Sequence, residues 1–267
     1  MEQNVVLEVK NLNVTINKPA EEEVLLLKDV SFKIFKGQVV GLVGETGSGK
    51  TLTMLAIMRM LNKNIKVKSG NIIFMGKDIT SNTNRNMKKR YVNGISMIFQ
   101  NQKLALSPLY KISTQMYDVI KANKNLPRKA TKEYCLWLLK KVGFSNPADV
   151  YNKYPFELSG GMLQRVILAI AVSMEPNLLI ADEPTTALDP DIQNYSLYLI
   201  KKFQQKLGNS VILITHDFSV IKKICTNVMV MKNGRIIENG LVEEVLQHPQ
   251  HVYTKQLIEF SGINSCW

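Results

Sequence analysis

The sequence predicts an α/β fold, one core with a helical insertion, on three observations. Short β-favouring apolar runs open the chain, as far as residue 43, and return from residue 178, whereas residues 113–171 carry apolar positions at helical spacing. The later runs alternate with amphipathic stretches, the order of a mostly parallel sheet with covering helices. A glycine-rich turn separates a wholly apolar run from a helical one, the strand–loop–helix order that a phosphate-binding turn requires.

Taken in order, Val5-Val6-Leu7-Glu8-Val9, residues 24–27 and Ser31-Phe32-Lys33-Ile34 read as short strands with turn or charged residues between them. Val39-Val40-Gly41-Leu42-Val43 is continuous and apolar, as a buried strand is, and residues 51–61 follow at helical spacing. Pro127, Pro147 and Pro155 break the helical middle. Residues 178–181, 211–215 and 228–231 read as strands, with an amphipathic helix at 192–207. No internal repeat and no low-complexity linker is visible in the 267 residues, a length that supports a well-buried core.

The chain carries 34 Lys and Arg against 22 Asp and Glu, a net charge of +12. That surplus fits nucleic acid, an acidic membrane surface or a phosphorylated ligand as a partner. The lysines are scattered and no block of five like charges occurs, which favours a solvated basic surface instead; the tightest cluster is Met87-Lys88-Lys89-Arg90. Cys135, Cys225 and Cys266 are far apart, show no disulfide or metal spacing, and fit a reducing compartment. The first residues alternate charge and apolarity, unlike a signal peptide. The most apolar stretch, residues 166–174, falls short of the roughly 20 residues that span a bilayer, so a membrane role would draw its spans from other chains.

Gly44-Glu45-Thr46-Gly47-Ser48-Gly49-Lys50-Thr51 has the spacing of a phosphate loop. Glycines let consecutive N–H groups face inward, and these groups with the following helix N-terminus cradle the phosphates of ATP. Lys50 is expected to reach the β- and γ-phosphates and the Thr51 hydroxyl to ligate Mg²⁺. Leu178-Leu179-Ile180-Ala181-Asp182-Glu183 is the acidic counterpart: Asp182 suits the Mg²⁺ shell, and Glu183 suits polarising the attacking water. Leu158-Ser159-Gly160-Gly161-Met162-Leu163-Gln164 is a second small-residue turn opening a helix, hence a second anion-binding element.

This last stretch resembles the signature sequence of ABC-type ATPases, and other elements of that family stand in order around it. Gln100, after Met97-Ile98-Phe99, resembles the glutamine that touches Mg²⁺ and water. Ala187-Leu188-Asp189 resembles the turn that crosses the dimer interface, and His216 resembles the switch histidine that contacts the γ-phosphate. The resemblance implies an ABC-type P-loop ATPase with a RecA-like core, an N-terminal antiparallel β-subdomain and an inserted α-helical subdomain. Core residues would be 1–100 and 172–250, the helical signature subdomain 101–171, and a tail 251–267. It implies that Ser159, Gly160, Gly161, Gln164 and Asp189 complete the ATP site of a second, homologous ATPase subunit, in a heterodimer. Two transmembrane permease subunits and an extracytoplasmic solute-binding protein would complete the complex, with this chain peripheral at the cytoplasmic face of the membrane.

Residues 97–108 and His248-Pro249-Gln250-His251-Val252-Tyr253-Thr254-Lys255-Gln256-Leu257 are similar to segments of importers for peptides and nickel. Signature and tail together look most similar to ATPases importing nickel or metal–metallophore complexes, with di- or oligopeptide import as the alternative. A permease helix is expected to dock near residues 100–110. A soluble ABC ATPase acting on nucleic acid is disfavoured, because no sustained heptads and no tandem second ATPase domain are present. Glu183 and His216 argue against a regulator without turnover.

The family stacks adenine on an aromatic residue near the end of the first strand, where this chain has Val14-Thr15-Ile16-Asn17. Ile16 stands in for it and loses a stacking increment of roughly 0.5–1.5 kcal/mol. An Ile16→Tyr variant should bind ATP more tightly than the natural chain in a nucleotide titration; unchanged ATP and GTP affinities would remove Ile16 from the adenine site.

Overall fold

The computed structural model describes residues 4–17, 22–80, 94–100, 105–184 and 189–262. They fall into two compact units, one from residues 1–92 with 209–267 and one from 93–208.

The first unit holds an antiparallel sheet in the order β2-β1-β4-β5, made of β1 (Val5–Ile16), β2 (Val24–Phe35), β4 (Ile65–Phe74) and β5 (Lys77–Asp78). Residues 24–34, read from sequence as two strands, form one. The polar interruption is absorbed by a register shift: Asp29 takes a φ of 55° and donates its N–H to Asn13 Oδ1 at 3.0 Å. β4 was not anticipated, because Lys66, Lys68, Ser69 and Asn71 face solvent and only Ile72 and Phe74 are buried. Pairing with β1, rather than an apolar pattern of its own, makes it a strand.

The same unit holds a parallel group in which β3 (Val39–Val43) lies between β8 (Ser210–Thr215) and β9 (Asn227–Lys232), with β10 (Arg235–Leu241) antiparallel to β9. Every residue of β3 and β8 is buried, which explains their unbroken apolar runs. The helices here are α1 (Lys50–Ile57), α7 (Phe218–Ile224), α8 (Val242–Gln247) and α9 (Val252–Phe260). α1 is shorter than the predicted 51–61; the chain leaves helical geometry at Arg59, with a φ of 58°.

The second unit pairs β6 (Ile95–Ile98) in parallel with β7 (Leu178–Asp182). Its helices are α2 (Ile112–Lys124), α3 (Arg128–Lys141), α4 (Pro147–Asn152), α5 (Gly160–Ser173) and α6 (Pro190–Leu207). The prolines read as breaks stand at helix starts: Pro127 caps α3, Pro147 opens α4 and Pro155 opens a 3₁₀ turn; Pro190, not singled out from sequence, opens α6. A fixed φ and a missing N–H cost nothing there.

The phosphate-loop strand is seated by α7. The fully buried Ile221 fills the space over Gly41, where a β-carbon would collide with its side chain. Ile221→Ala should therefore open a cavity beneath β3 and lower unfolding stability by about 2–5 kcal/mol, read by urea denaturation.

Candidate functional site

In the first unit, register alone gathers one edge of the site. Val43 pairs with Thr215 on β8 and with Val230 on β9, so Gly44 and His216 leave the sheet as neighbours at its C-terminal edge, beside Met231 of β9. In open parallel sheets this edge is where ligands bind. Gly44 and Gly49 carry φ values of 157° and 110°, and a β-carbon on Gly44 would collide with the Met231 carbonyl oxygen. At Gly49 it would lie 2.8 Å from Leu27 Cδ2 and 2.9 Å from Met231 Cε. Only glycine supplies both the conformation and the clearance.

Lys50 opens α1 and is 6% exposed. Its ammonium donates to the carbonyl oxygens of Gly44 at 2.8 Å and Glu45 at 2.9 Å. The loop is also hooked from outside: Gly234 N–H donates to Ser48 O at 2.8 Å, and Gly234 O accepts from Lys28 N–H at 2.8 Å. Thr46, Gly47 and Thr51 are exposed or partly so around the loop mouth, while Ser48 is buried. His216 is exposed at the end of β8, and Asp217 beside it caps α7 through Ser219 N–H at 2.7 Å. Ile16 ends β1 opposite Val24 and Ile65, half-buried; next to it Thr15 donates to Glu23, whose carboxylate also holds Lys66 and Lys68.

In the second unit the pairing of Ile98 with Ala181 puts Gln100 and Glu183 level, two residues beyond the last rung. They meet: Gln100 Nε2 donates to Glu183 Oε2 at 2.6 Å. Glu183 sits at a φ of 44°, a left-handed conformation that costs a non-glycine residue roughly 1–2 kcal/mol and recurs at functional sites. Asp182 ends β7 at 2% exposure.

The signature turn lies in the same unit. Ser159 caps α5, its hydroxyl accepting from Met162 N–H at 3.4 Å, and Gly160 is exposed at the helix start. Gly161 lies against Ile192 of α6, where a β-carbon would come within 2.7 Å. Gln164, expected to touch nucleotide, is 3% exposed: its amide nitrogen donates to Pro184 O and its oxygen accepts from Ser196 Oγ at 2.9 Å. It thus ties the signature helix to the residue following Glu183. Asp189 is exposed at the cap of α6; Ala187 and Leu188 lie outside the described residues.

Sequence reasoning missed one participant, Tyr253. Its hydroxyl accepts from the Glu45 N–H at 2.8 Å across 208 positions of sequence. The tail had drawn notice only for its family resemblance, and no local pattern ties it to the loop. Among the described residues no cluster of three His, Cys, Asp or Glu could hold a metal, and no helix is long and apolar enough to cross a membrane. Burial raises the Cys135 thiol to about 11 and pushes that of Cys225 higher still, so neither is a nucleophile at neutral pH.

A family model described as ABC transporter matches residues 27–186. The chain is 41% identical over 256 residues to the oligopeptide transport ATP-binding protein AppD of Bacillus subtilis, covering 96% of this chain and 78% of that one. It is 40% identical over 238 residues to the probable D,D-dipeptide transport ATP-binding protein DdpD of Escherichia coli, covering 89% and 73%. Among solved structures, cbiO1 of Clostridium perfringens superposes with a TM-score of 0.78 at 29% identity over 92% of each chain. The ATP-binding cassette MJ0796, in a dimeric post-hydrolysis state with ADP and Pi, gives 0.77 at 26% identity over 88% of this chain and 98% of that one. Motif order, fold and these likenesses agree, and the chain belongs to the ABC transporter family as one of its ATP-hydrolysing ATPases.

Proposed function

We propose that this chain is the ATPase subunit of an ABC importer for peptides, held at the cytoplasmic face of a membrane by two permease subunits. The observation that carries this reading is identity of 40–41% over most of both chains with relatives named for oligopeptide and D,D-dipeptide transport. Those names favour the peptide alternative and lend no support to nickel or metal–metallophore import. An extracytoplasmic solute-binding protein would deliver the peptide, since the ATPase does not itself meet the cargo.

In this reading the N–H groups of the loop 44–51 other than that of Glu45, which Tyr253 holds, and the N-terminus of α1 hold the phosphates of ATP. Lys50, its ammonium oriented by the Gly44 and Glu45 carbonyls, is directed at the β- and γ-phosphates. Glu183 polarises the attacking water, its carboxylate aimed by Gln100, and His216 meets the γ-phosphate as charge grows on it. Thr51 in the first unit and Asp182 and the Gln100 carbonyl in the second are hard oxygen donors that would suit Mg²⁺, which would supply charge neutralisation to the phosphates. Ile16 covers the adenine. Ser159, Gly160 and Gly161 at the start of α5 complete the site of a second, homologous ATPase subunit, with Asp189 at that interface and Gln164 bracing it from within.

The permease contact is assigned to the segment around residues 105–110. Leu109 and Tyr110 are 78% and 57% exposed, yet their backbone is fixed. Gln115 accepts from Ser107 N–H at 2.8 Å and donates to the carbonyls of Ser107 at 3.0 Å and Tyr110 at 2.8 Å. Residues 101–104 of the predicted docking stretch lie outside the described residues.

The complex purified from native membranes and reconstituted in vesicles should import short peptides only with ATP. Glu183→Gln should lower turnover by roughly 10²–10⁴-fold while ATP stays bound. Import of nickel or a metal chelate without peptide import would overturn the cargo assignment, and unchanged hydrolysis in the variant would overturn the role of Glu183.

A further inference from the structure

The start of α9 is fixed at several points, all within the first unit. The Glu238 carboxylate on β10 accepts from the N–H groups of Gln250 at 2.7 Å and His251 at 3.1 Å. His251 Nδ1 in turn accepts from Tyr253 N–H at 3.0 Å and caps the helix. The Tyr253 ring is 3% exposed and carries the Lys232 ammonium 4.3 Å from its centroid. Burial raises its phenol, so the hydroxyl stays protonated at neutral pH and acts as a neutral acceptor.

What that hydroxyl holds is one face of a single peptide group. The Gly44–Glu45 peptide donates its N–H to Tyr253 and gives its carbonyl to Lys50. Rotating the peptide would break both bonds together. Without the phenol, Glu45 N–H loses its partner, and the carbonyl that orients the Lys50 ammonium loses its fixed direction.

We propose that Tyr253 is a positioning residue for nucleotide binding: through the Gly44–Glu45 peptide it holds the phosphate loop in the shape that receives the β- and γ-phosphates. The proposal rests on the reading of residues 44–51 as the phosphate loop. It gives the tail a role in the ATP site rather than packing alone. The action is at the phosphate end, so the contribution grows with the number of phosphates on the ligand.

The test is competition binding of ATP and AMP, with Mg²⁺, to the full chain and to Tyr253→Phe, Leu257→Ala and Lys50→Ala. Tyr253→Phe keeps the ring and its contact with Lys232. It should weaken ATP about two- to twelvefold, the net worth of one hydrogen bond, and leave AMP unchanged. Leu257→Ala removes a buried side chain one turn further along the same helix; it should lower the melting temperature and leave the ATP-to-AMP ratio unchanged. Wild-type ATP affinity in Tyr253→Phe overturns the proposal. So does an equal loss for ATP and AMP, or a ratio change in Leu257→Ala matching that in Tyr253→Phe. Full ATP affinity in Lys50→Ala would overturn the phosphate-loop reading itself, and the proposal with it.

Discussion

The peptide between Gly44 and Glu45 is gripped from both sides, its carbonyl by the Lys50 ammonium and its N–H by the Tyr253 hydroxyl. Around it the loop is bound to the turn after β9 through Gly234, which is itself held by β2 through the Lys28 N–H. A backbone bent so that its N–H groups face one point is costly, because each group left unpaired would forfeit a hydrogen bond. The surrounding strands and α9 supply those bonds from outside, which leaves the inner face of the loop to a ligand. Much of the first unit can be understood as the frame for that bend.

The second unit solves a different problem with the same device. A parallel rung aligns Gln100 with Glu183, as a parallel rung aligns Gly44 with His216. In both cases polar side chains are delivered by strands that are largely apolar and buried, so the chemistry stands at the sheet edge while the sheet supplies the rigidity. Gln164 extends this: a buried amide satisfied at both ends couples the signature helix to the backbone beside Glu183. Such a group is stabilising only with both partners in place, which makes it a sensitive link between the two elements.

The parts of this arrangement that were legible in the sequence are those with local signals. The glycine spacing of residues 44–51, the apolar run ending in Asp182 and Glu183, and the prolines at helix starts all act through neighbours in the chain. The strands β3, β7 and β8 were legible because they are buried on both faces. β4 and β10 were not, since half-exposed strands with lysine and asparagine outside take their identity from pairing partners. Tyr253 was not legible as part of the site, because a hydrogen bond across 208 positions leaves no trace in local pattern. Nor was the inward turn of Gln164, which depends on Pro184 and Ser196. Cargo was least legible: residues 248–257 are similar to segments of importers for peptides and for nickel alike, and only the names of relatives favour peptide.

The central claim is that loop conformation, more than any single side chain, makes the phosphate site. Gly47 isolates it, since its φ is 83° and a β-carbon there would meet nothing within 4 Å. Gly47→Ala therefore adds no clash and changes only the conformational preference. The alanine chain relieves its strain by leaving the left-handed region, and ATP binding must then restore it. Titration of ATP into this variant should show a folded protein with affinity lower by about five- to thirtyfold, the cost of roughly 1–2 kcal/mol for that conformation. Wild-type affinity in Gly47→Ala would contradict the account.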